Sequence, residues 1–273
     1  MCRLLGWVYD DTTSVEDVLG SDGLAGFTSL TRVHADGWGM AWREGDATRT
    51  ITSPESADAD PTYDEHVRRP VSAAGMLHLR WATGGLPVAS RNTHPFFEGD
   101  YAFAHNGHVS PIDKLEGLLT AECRARLVGD TDSERYFRYV LQCVEETGDL
   151  EQGLRRALAT MVEEFPSSSL NALMLTPTHL VAIHVNSRAA SPVEGLRALF
   201  DDEEDVPPRH LTEYFAMDYR ADEHGIAVIS SGLDEEGWTP VDDDTAVMID
   251  LETRAVTRID PVLAMQEDAE EIG

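Results

Sequence analysis

The amino-acid sequence predicts an α+β layered domain, and three observations carry that prediction. Short apolar runs punctuated by Gly, Asp and Pro fill the chain up to His105. Two consecutive amphipathic helices follow Thr131, and short apolar runs return from Leu170 onward. Strands grouped on either side of a helix pair do not suit a repeating βαβ sheet.

The first strands are expected at residues 3–9, 38–43, 48–52, 75–81 and 101–105. The first helix opens at Thr131, with Glu134 three residues on in a capping-box pattern, and Tyr136, Phe137, Val140, Leu141 and Val144 line one face. The second helix covers about 150–165, with Leu154, Leu158, Met161 and Phe165 in register. Strands are expected again at 170–175, 179–185, 225–230, 246–250 and 255–259, with a surface loop at 201–208. With no internal repeat and no clear linker, residues 2–260 read as one domain and 261–273 as an acidic, frayed tail.

Composition narrows the function classes. Fifty acidic against twenty-one basic residues give a net charge of −29, and Lys114 is the only lysine. Nucleic-acid binding wants clustered Lys and Arg, so this balance argues against it. No apolar run reaches the roughly 20 residues of a membrane helix, and the start MCRLLGWVYDD lacks a secretory pattern. A cytoplasmic location without membrane attachment is the expectation. The three cysteines, Cys2, Cys123 and Cys143, form no C-x-x-C pair, and no H-E-x-x-H occurs. Neither a metal nor another cofactor is expected. His105 and His108 flank Asn106-Gly107 and read as loop-positioning residues, while Trp7, Trp38, Trp42 and Trp81 read as core or pocket wall.

Four segments can carry chemistry. Removal of Met1 would place a thiol and an α-amine on Cys2; with a pKa near ~7.7–8.0 the amine is partly neutral at pH 7, so one residue would supply both nucleophile and base. Arg80, in LHLRWATGG, sits at a strand end, where its planar fork suits a carboxylate. The bland alternative is a structural ion pair. Thr83 and the following glycines form a turn that lets backbone approach a ligand. In FAHNGHV, Asn106-Gly107 reads either as a hairpin turn or as paired oxyanion donors. Asp132, in GDTDSERYF, reads either as a first-turn carboxylate favoured by the helix dipole or as an acceptor for a substrate ammonium.

The order and character of these segments resemble the class II glutamine amidotransferases of the Ntn-hydrolase superfamily. Glucosamine-phosphate synthase and its relatives carry a Cys-Gly-Ile-type start, then H-T-R-W-A-T-H-G, H-N-G and T-D-T-E segments. Here they read Cys2-Arg-Leu, His78-Leu-Arg80-Trp81-Ala82-Thr83-Gly-Gly85, His105-Asn106-Gly107 and Thr131-Asp132-Ser133-Glu134. The resemblance implies a four-layer αββα sandwich, Cys2 as nucleophile, and Asn106 with Gly107 as oxyanion hole. It further implies Arg80 on the substrate α-carboxylate, Asp132 on its α-ammonium, and Thr83 in the glutamine pocket.

Two departures bear on the branch. His34-Ala-Asp36-Gly37-Trp38-Gly39 replaces an R-G-Y/H-D-S-type segment, and Arg3 replaces a small residue. Together with Asn92-Thr-His94-Pro-Phe96, they look like the stand-alone branch that includes YafJ-like proteins and the γ-glutamyl hydrolase of ergothioneine biosynthesis. A synthase would need a second domain for the ammonia acceptor, yet the residues after the helices read as more strands of one core. The implied activity is hydrolysis of the γ-amide of glutamine or of a γ-glutamyl compound through a thioester. Ammonia supply to a separate synthase subunit and a non-catalytic γ-glutamyl-binding or regulatory module are the alternatives.

Overall fold

Side-chain alternation along one strand decides how the layers stack. A computed structural model describes residues 2–82, 87–207, 209–233 and 236–261. In the strand Arg3–Thr13, Leu5 and Trp7 point into one apolar cluster, while Leu4 and Val8 point into another. Both faces of the strand are therefore buried, as a central strand between two further layers requires.

The strands are β1 (Arg3–Thr13), β2 (Trp38–Glu44), β3 (Ala47–Ser53), β4 (Ser72–Leu79), β5 (Phe96–Glu98), β6 (Tyr101–His105) and β7 (Ala172–Leu175). They continue as β8 (His179–His184), β9 (Met217–Ala221), β10 (Gly225–Ser230), β11 (Thr239–Pro240), β12 (Thr245–Asp250) and β13 (Val256–Ile259). One sheet runs β11-β9-β10-β1-β4-β2-β3 and the other β13-β12-β8-β7-β6-β5, with antiparallel pairing throughout both. The sheets meet through mostly small or aliphatic side chains: Leu4, Val8, Ala41 and Met76 on one side, Ala102, Ala104, Leu173 and Leu180 on the other. A side chain at Gly6 would touch Leu180 and Leu173 at 3.0 and 3.1 Å, so β1 crosses β7 and β8 at close range.

The helices are α1 (Val15–Ser29), α2 (Pro61–Arg68), α3 (Ile112–Gly117), α4 (Ala121–Ala125), α5 (Asp132–Thr147), α6 (Leu150–Glu164) and α7 (Val193–Arg197). Phe137, Val140, Leu154 and Leu158 of α5 and α6 pack on Phe103, Met174 and Val181 of the second sheet. Val18, Leu24 and Phe27 of α1 and Tyr63 and Val67 of α2 cover Trp7, Trp38 and Leu77 of the first. The order of layers is α/β/β/α, the four-layer sandwich expected from the resemblance.

The two amphipathic helices expected after Thr131, α5 and α6, both lie on the outer side of the second sheet, and α1 with α2 covers the first. Helix α1 was not legible because Gly20, Gly23 and Gly26 interrupt its apolar positions; Gly20 adopts φ +75 inside it. Helix α5 starts where expected, with the Thr131 hydroxyl accepting from Glu134 N at 3.1 Å. Its capping box is only half made, because the Glu134 carboxylate accepts from Val128 N and Gly129 N instead. The strand expected at 75–81 ends at Leu79, which leaves Arg80 and Trp81 beyond the ladder. Cys123 and Cys143 are buried in the second-sheet core. Of the expected acidic tail, residues 262–273 lie outside the described residues.

Gly75 gives a direct test of the packing. A side chain there would stand 2.5 Å from the Trp7 ring and 2.7 Å from the Ala41 carbonyl. Gly75→Ala is expected to destabilise the fold by about 1–3 kcal/mol, read as a lowered urea midpoint. An unchanged midpoint would mean that β1 and β4 are not held at this spacing.

Candidate active site

Cys2 stands at the entrance to β1, buried, and its backbone N–H donates to Asn106 Oδ1 at 2.9 Å. That contact spans 104 residues of sequence. It also fixes the amide, since an N–H needs an oxygen opposite it. Asn106 Nδ2 is therefore turned elsewhere; it is buried and has no hydrogen-bond partner among the described residues. An orphaned buried amide donor costs about 1–3 kcal/mol, so its presence calls for a physical reason.

The loop that holds Asn106 is tied on every side. Asn106 N donates to the Asn171 carbonyl at 2.7 Å, and its own carbonyl accepts from Ser169 Oγ at 2.9 Å. His105 bridges the Ser169 carbonyl through Nε2 at 2.8 Å and the Ser133 hydroxyl through Nδ1 at 2.9 Å. With a carbonyl at Nε2, that nitrogen carries the proton and Nδ1 accepts from Ser133. Burial pushes the His105 pKa down, against the opposing pull of Asp132. A side chain at Gly107 would collide with the Ser169 carbonyl and the His105 ring, so only glycine fits. The Asn-Gly pair is not a hairpin turn, because β6 pairs with β5 and β7 and its chain continues to an isolated bridge between His108 and Ser169.

Arg80 is buried just past the end of β4. Its backbone is clamped by Gly37 O and Asp36 N at 2.8 and 2.9 Å, and Nη1 and Nη2 reach the carbonyls of Asp36 and Pro87 at 3.3 and 3.5 Å. No carboxylate among the described residues pairs with it, so the structural ion pair is not what holds this guanidinium. The Asp36 carboxylate instead accepts from Ala82 N at 2.7 Å. Thr83, the remaining pocket residue expected from sequence, lies outside the described residues.

Asp132 occupies the first turn of α5 and is buried. Its Oδ2 accepts from Val109 N at 2.6 Å and lies 3.4 Å from His108 Nδ1. Burial alone would raise this carboxyl; the His108 hydrogen bond, the nearby His105 ring and the Val109 N–H outweigh it and hold the pKa below the usual range. The same hydrogen bond raises the His108 pKa against its partial burial. One carboxylate thus links helix α5 to the loop after Gly107.

Two further histidines join Cys2, and sequence reasoning missed both. His78 and His94 are buried with ring centroids 4.4 Å apart, and one ligating atom from each lies within 4.8 Å of the other and of Cys2 Sγ. Burial first, then the charge of Arg80, drives the His78 pKa well down; burial and then His78 do the same to His94. The thiol also sits 4.0 Å from the Trp81 carbonyl. Trp81 walls a cleft of about 530 Å³, with His108, Ser169, Ala189, Pro192 and Phe215 around it. Cys2, Asn106, Trp81 and Asp132 thus surround one end of the sandwich.

Comparison with known proteins agrees with this geometry. Residues 1–249 match the family described as Glutamine amidotransferases class-II. YafJ of Escherichia coli strain K12 is 33% identical over 146 residues, 52% of this chain and 54% of that protein. The chain spans about half the length of several curated relatives it matches. The gamma-glutamyl-hercynylcysteine sulfoxide hydrolase of Mycobacterium tuberculosis is 27% identical over 230 residues, 78% of this chain and 92% of that enzyme. A glutamine aminotransferase class-II domain protein from Silicibacter pomeroyi superposes with a TM-score of 0.61 at 19% identity, covering 95% of this chain and 99% of that one, which establishes the shared fold. The chain belongs to the class II glutamine amidotransferases, in the company of YafJ-like and γ-glutamyl-hydrolase relatives.

Proposed function

We propose that residues 2–260 form an N-terminal-cysteine amidohydrolase that cleaves the γ-amide of glutamine or of a γ-glutamyl compound. The observation that carries this reading is the Asn106 side chain, whose Oδ1 holds the Cys2 nitrogen while its buried Nδ2 has no protein partner among the described residues. A donor left unsatisfied beside a thiol is what a developing oxyanion requires.

Once Met1 is removed, the Cys2 thiol gives its proton to the neutral α-amine as Sγ bonds to the γ-carbonyl carbon. Asn106 Nδ2 and the Gly107 N–H stabilise the oxyanion. The α-ammonium then protonates the leaving nitrogen, the C–N bond breaks, and a γ-glutamyl thioester remains. Water attacks the thioester, its proton passes to the amine, and glutamate leaves as the thiol is restored. Arg80 holds the α-carboxylate with a guanidinium whose partners among the described residues are backbone carbonyls. Asp132 takes the α-ammonium, and Thr83 contributes to the pocket wall. The cleft beside Trp81 accommodates the leaving group, and the 92% coverage of the mycobacterial hydrolase supports a γ-glutamyl conjugate there.

Purified protein is expected to have a mass lower by one methionine and to release glutamate from a γ-glutamyl amide. Cys2→Ala is expected to abolish turnover, and Asn106→Ala to lower kcat by about 10²–10³. Turnover by Cys2→Ala close to that of the unaltered chain would remove the nucleophile from the mechanism, and a retained Met1 would favour a binding module.

The clamp is tested with glutamine and its N-acetyl analogue. Asp132→Asn keeps an oxygen for Val109 N but removes the charge, whereas alanine would also free the loop. The unaltered enzyme is expected to reject the acetylated compound, and Asp132→Asn to lose about 2–5 kcal/mol on glutamine along with most of its preference. Equal use of both compounds by the unaltered enzyme would show that Asp132 serves only helix α5 and the loop.

A further inference from the structure

We propose that Cys2, His78 and His94 bind a borderline divalent cation, Zn²⁺ first among them, and that the bound ion caps the nucleophile. The mechanism above needs the thiol, the amine and the oxyanion donors, and gives no task to the two imidazoles.

Those imidazoles are unusual in their own right. Both nitrogens of both rings are buried and have no hydrogen-bond partner among the described residues. The His105 backbone stands near the His78 ring but outside normal hydrogen-bond geometry. Four orphaned ring nitrogens in adjacent side chains are a large desolvation cost.

The donor set selects the ion. One thiolate and two imidazoles suit Zn²⁺ among common divalent ions, and disfavour the oxygen-seeking Mg²⁺ and Ca²⁺. Zn–N and Zn–S bonds of about 2.0–2.3 Å in tetrahedral geometry separate ligands by roughly 3.3–3.6 Å. The three donor atoms lie within 4.8 Å of one another, so contraction of about an ångström closes the site. The backbone is already shaped for this approach: β2 passes so near the His94 carbonyl that position 39 admits no side chain. Binding forms two Zn–N bonds and one Zn–S bond, and the Cys2 thiol releases its proton to solvent. Three protein ligands leave the fourth position to water. The Sγ lone pair is then shared with the ion, and attack on a carbonyl stops.

Titration calorimetry of reduced, chelator-treated protein with zinc chloride tests the site directly. One ion per chain is expected, bound in the micromolar range or tighter. Loss of a neighbouring support residue weakens metal binding 10–100-fold, and loss of a direct ligand exceeds that, so Cys2→Ala and His94→Phe should each weaken binding by at least ~100-fold. Cys123→Ala, a buried thiol in the other core, should leave it unchanged.

A second measurement uses the unaltered chain. Saturating Zn²⁺ should slow alkylation of Cys2 by iodoacetamide, followed by peptide mass, at least tenfold, and EDTA should restore it. Neither readout depends on turnover, so an inactive protein would still report on the site. No binding, equal binding by Cys2→Ala, or unaltered alkylation would each overturn the proposal.

Discussion

The close stacking of β1 on β7 and β8 is the constraint on which the site depends. A Cβ at Gly6 would press on Leu173 and Leu180 at 3.1 and 3.0 Å, and the facing surfaces are built from Ala41, Ala102, Ala104 and similar residues. Only a thin interface lets the first residue of one sheet touch the last turn of the other. Cys2 at the start of β1 and Asn106 after β6 come from different sheets, yet share a 2.9 Å hydrogen bond. Larger side chains in this layer would push the sheets apart, and Cys2 would lose its Asn106 partner.

The arrangement is reinforced by local ties of short reach. His105 closes the Asn106 loop onto Ser169 and onto the first turn of α5, and Asp132 closes the same loop three residues after Asn106, at Val109. The segment before β2 holds Arg80 by its backbone from both directions, leaving the guanidinium to be positioned rather than neutralised. Each tie joins residues whose own elements are fixed by a core cluster. The polar site thus inherits its rigidity from apolar packing.

The sequence made some of this legible and left the rest dark. Periodic segments were clear: β6 and β10 fall where their apolar runs stand, and α5 begins at its Thr131 cap. Glycine-broken α1 carries no comparable period, so the cover of the first sheet was invisible. Cys2, Arg80, Asn106, Gly107 and Asp132 stood out because each lies in a short motif with its own chemistry. His78 and His94 did not, since they are 16 positions apart and meet only through the pairing of β4 with β2 and the passage of residue 94 across Gly39. Ser169 and Asn171 were likewise hidden, as supports drawn from the segment before β7, far along the chain. The signal available for them was weak: two polar residues bracketing a leucine just before an apolar strand.

The two members of the Asn106-Gly107 pair would fare differently under mutation. Gly107 is fixed by steric necessity, because any side chain there strikes the Ser169 carbonyl. A descendant that abandoned catalysis would still have to keep that glycine in order to fold. Asn106 is under no such compulsion on its nitrogen side, where a buried Nδ2 serves no partner among the described residues and weakens the resting state. Drift would erase the asparagine first, as soon as selection ceased to reward what its amide does. Within such a lineage the glycine records ancestry, whereas the asparagine records use.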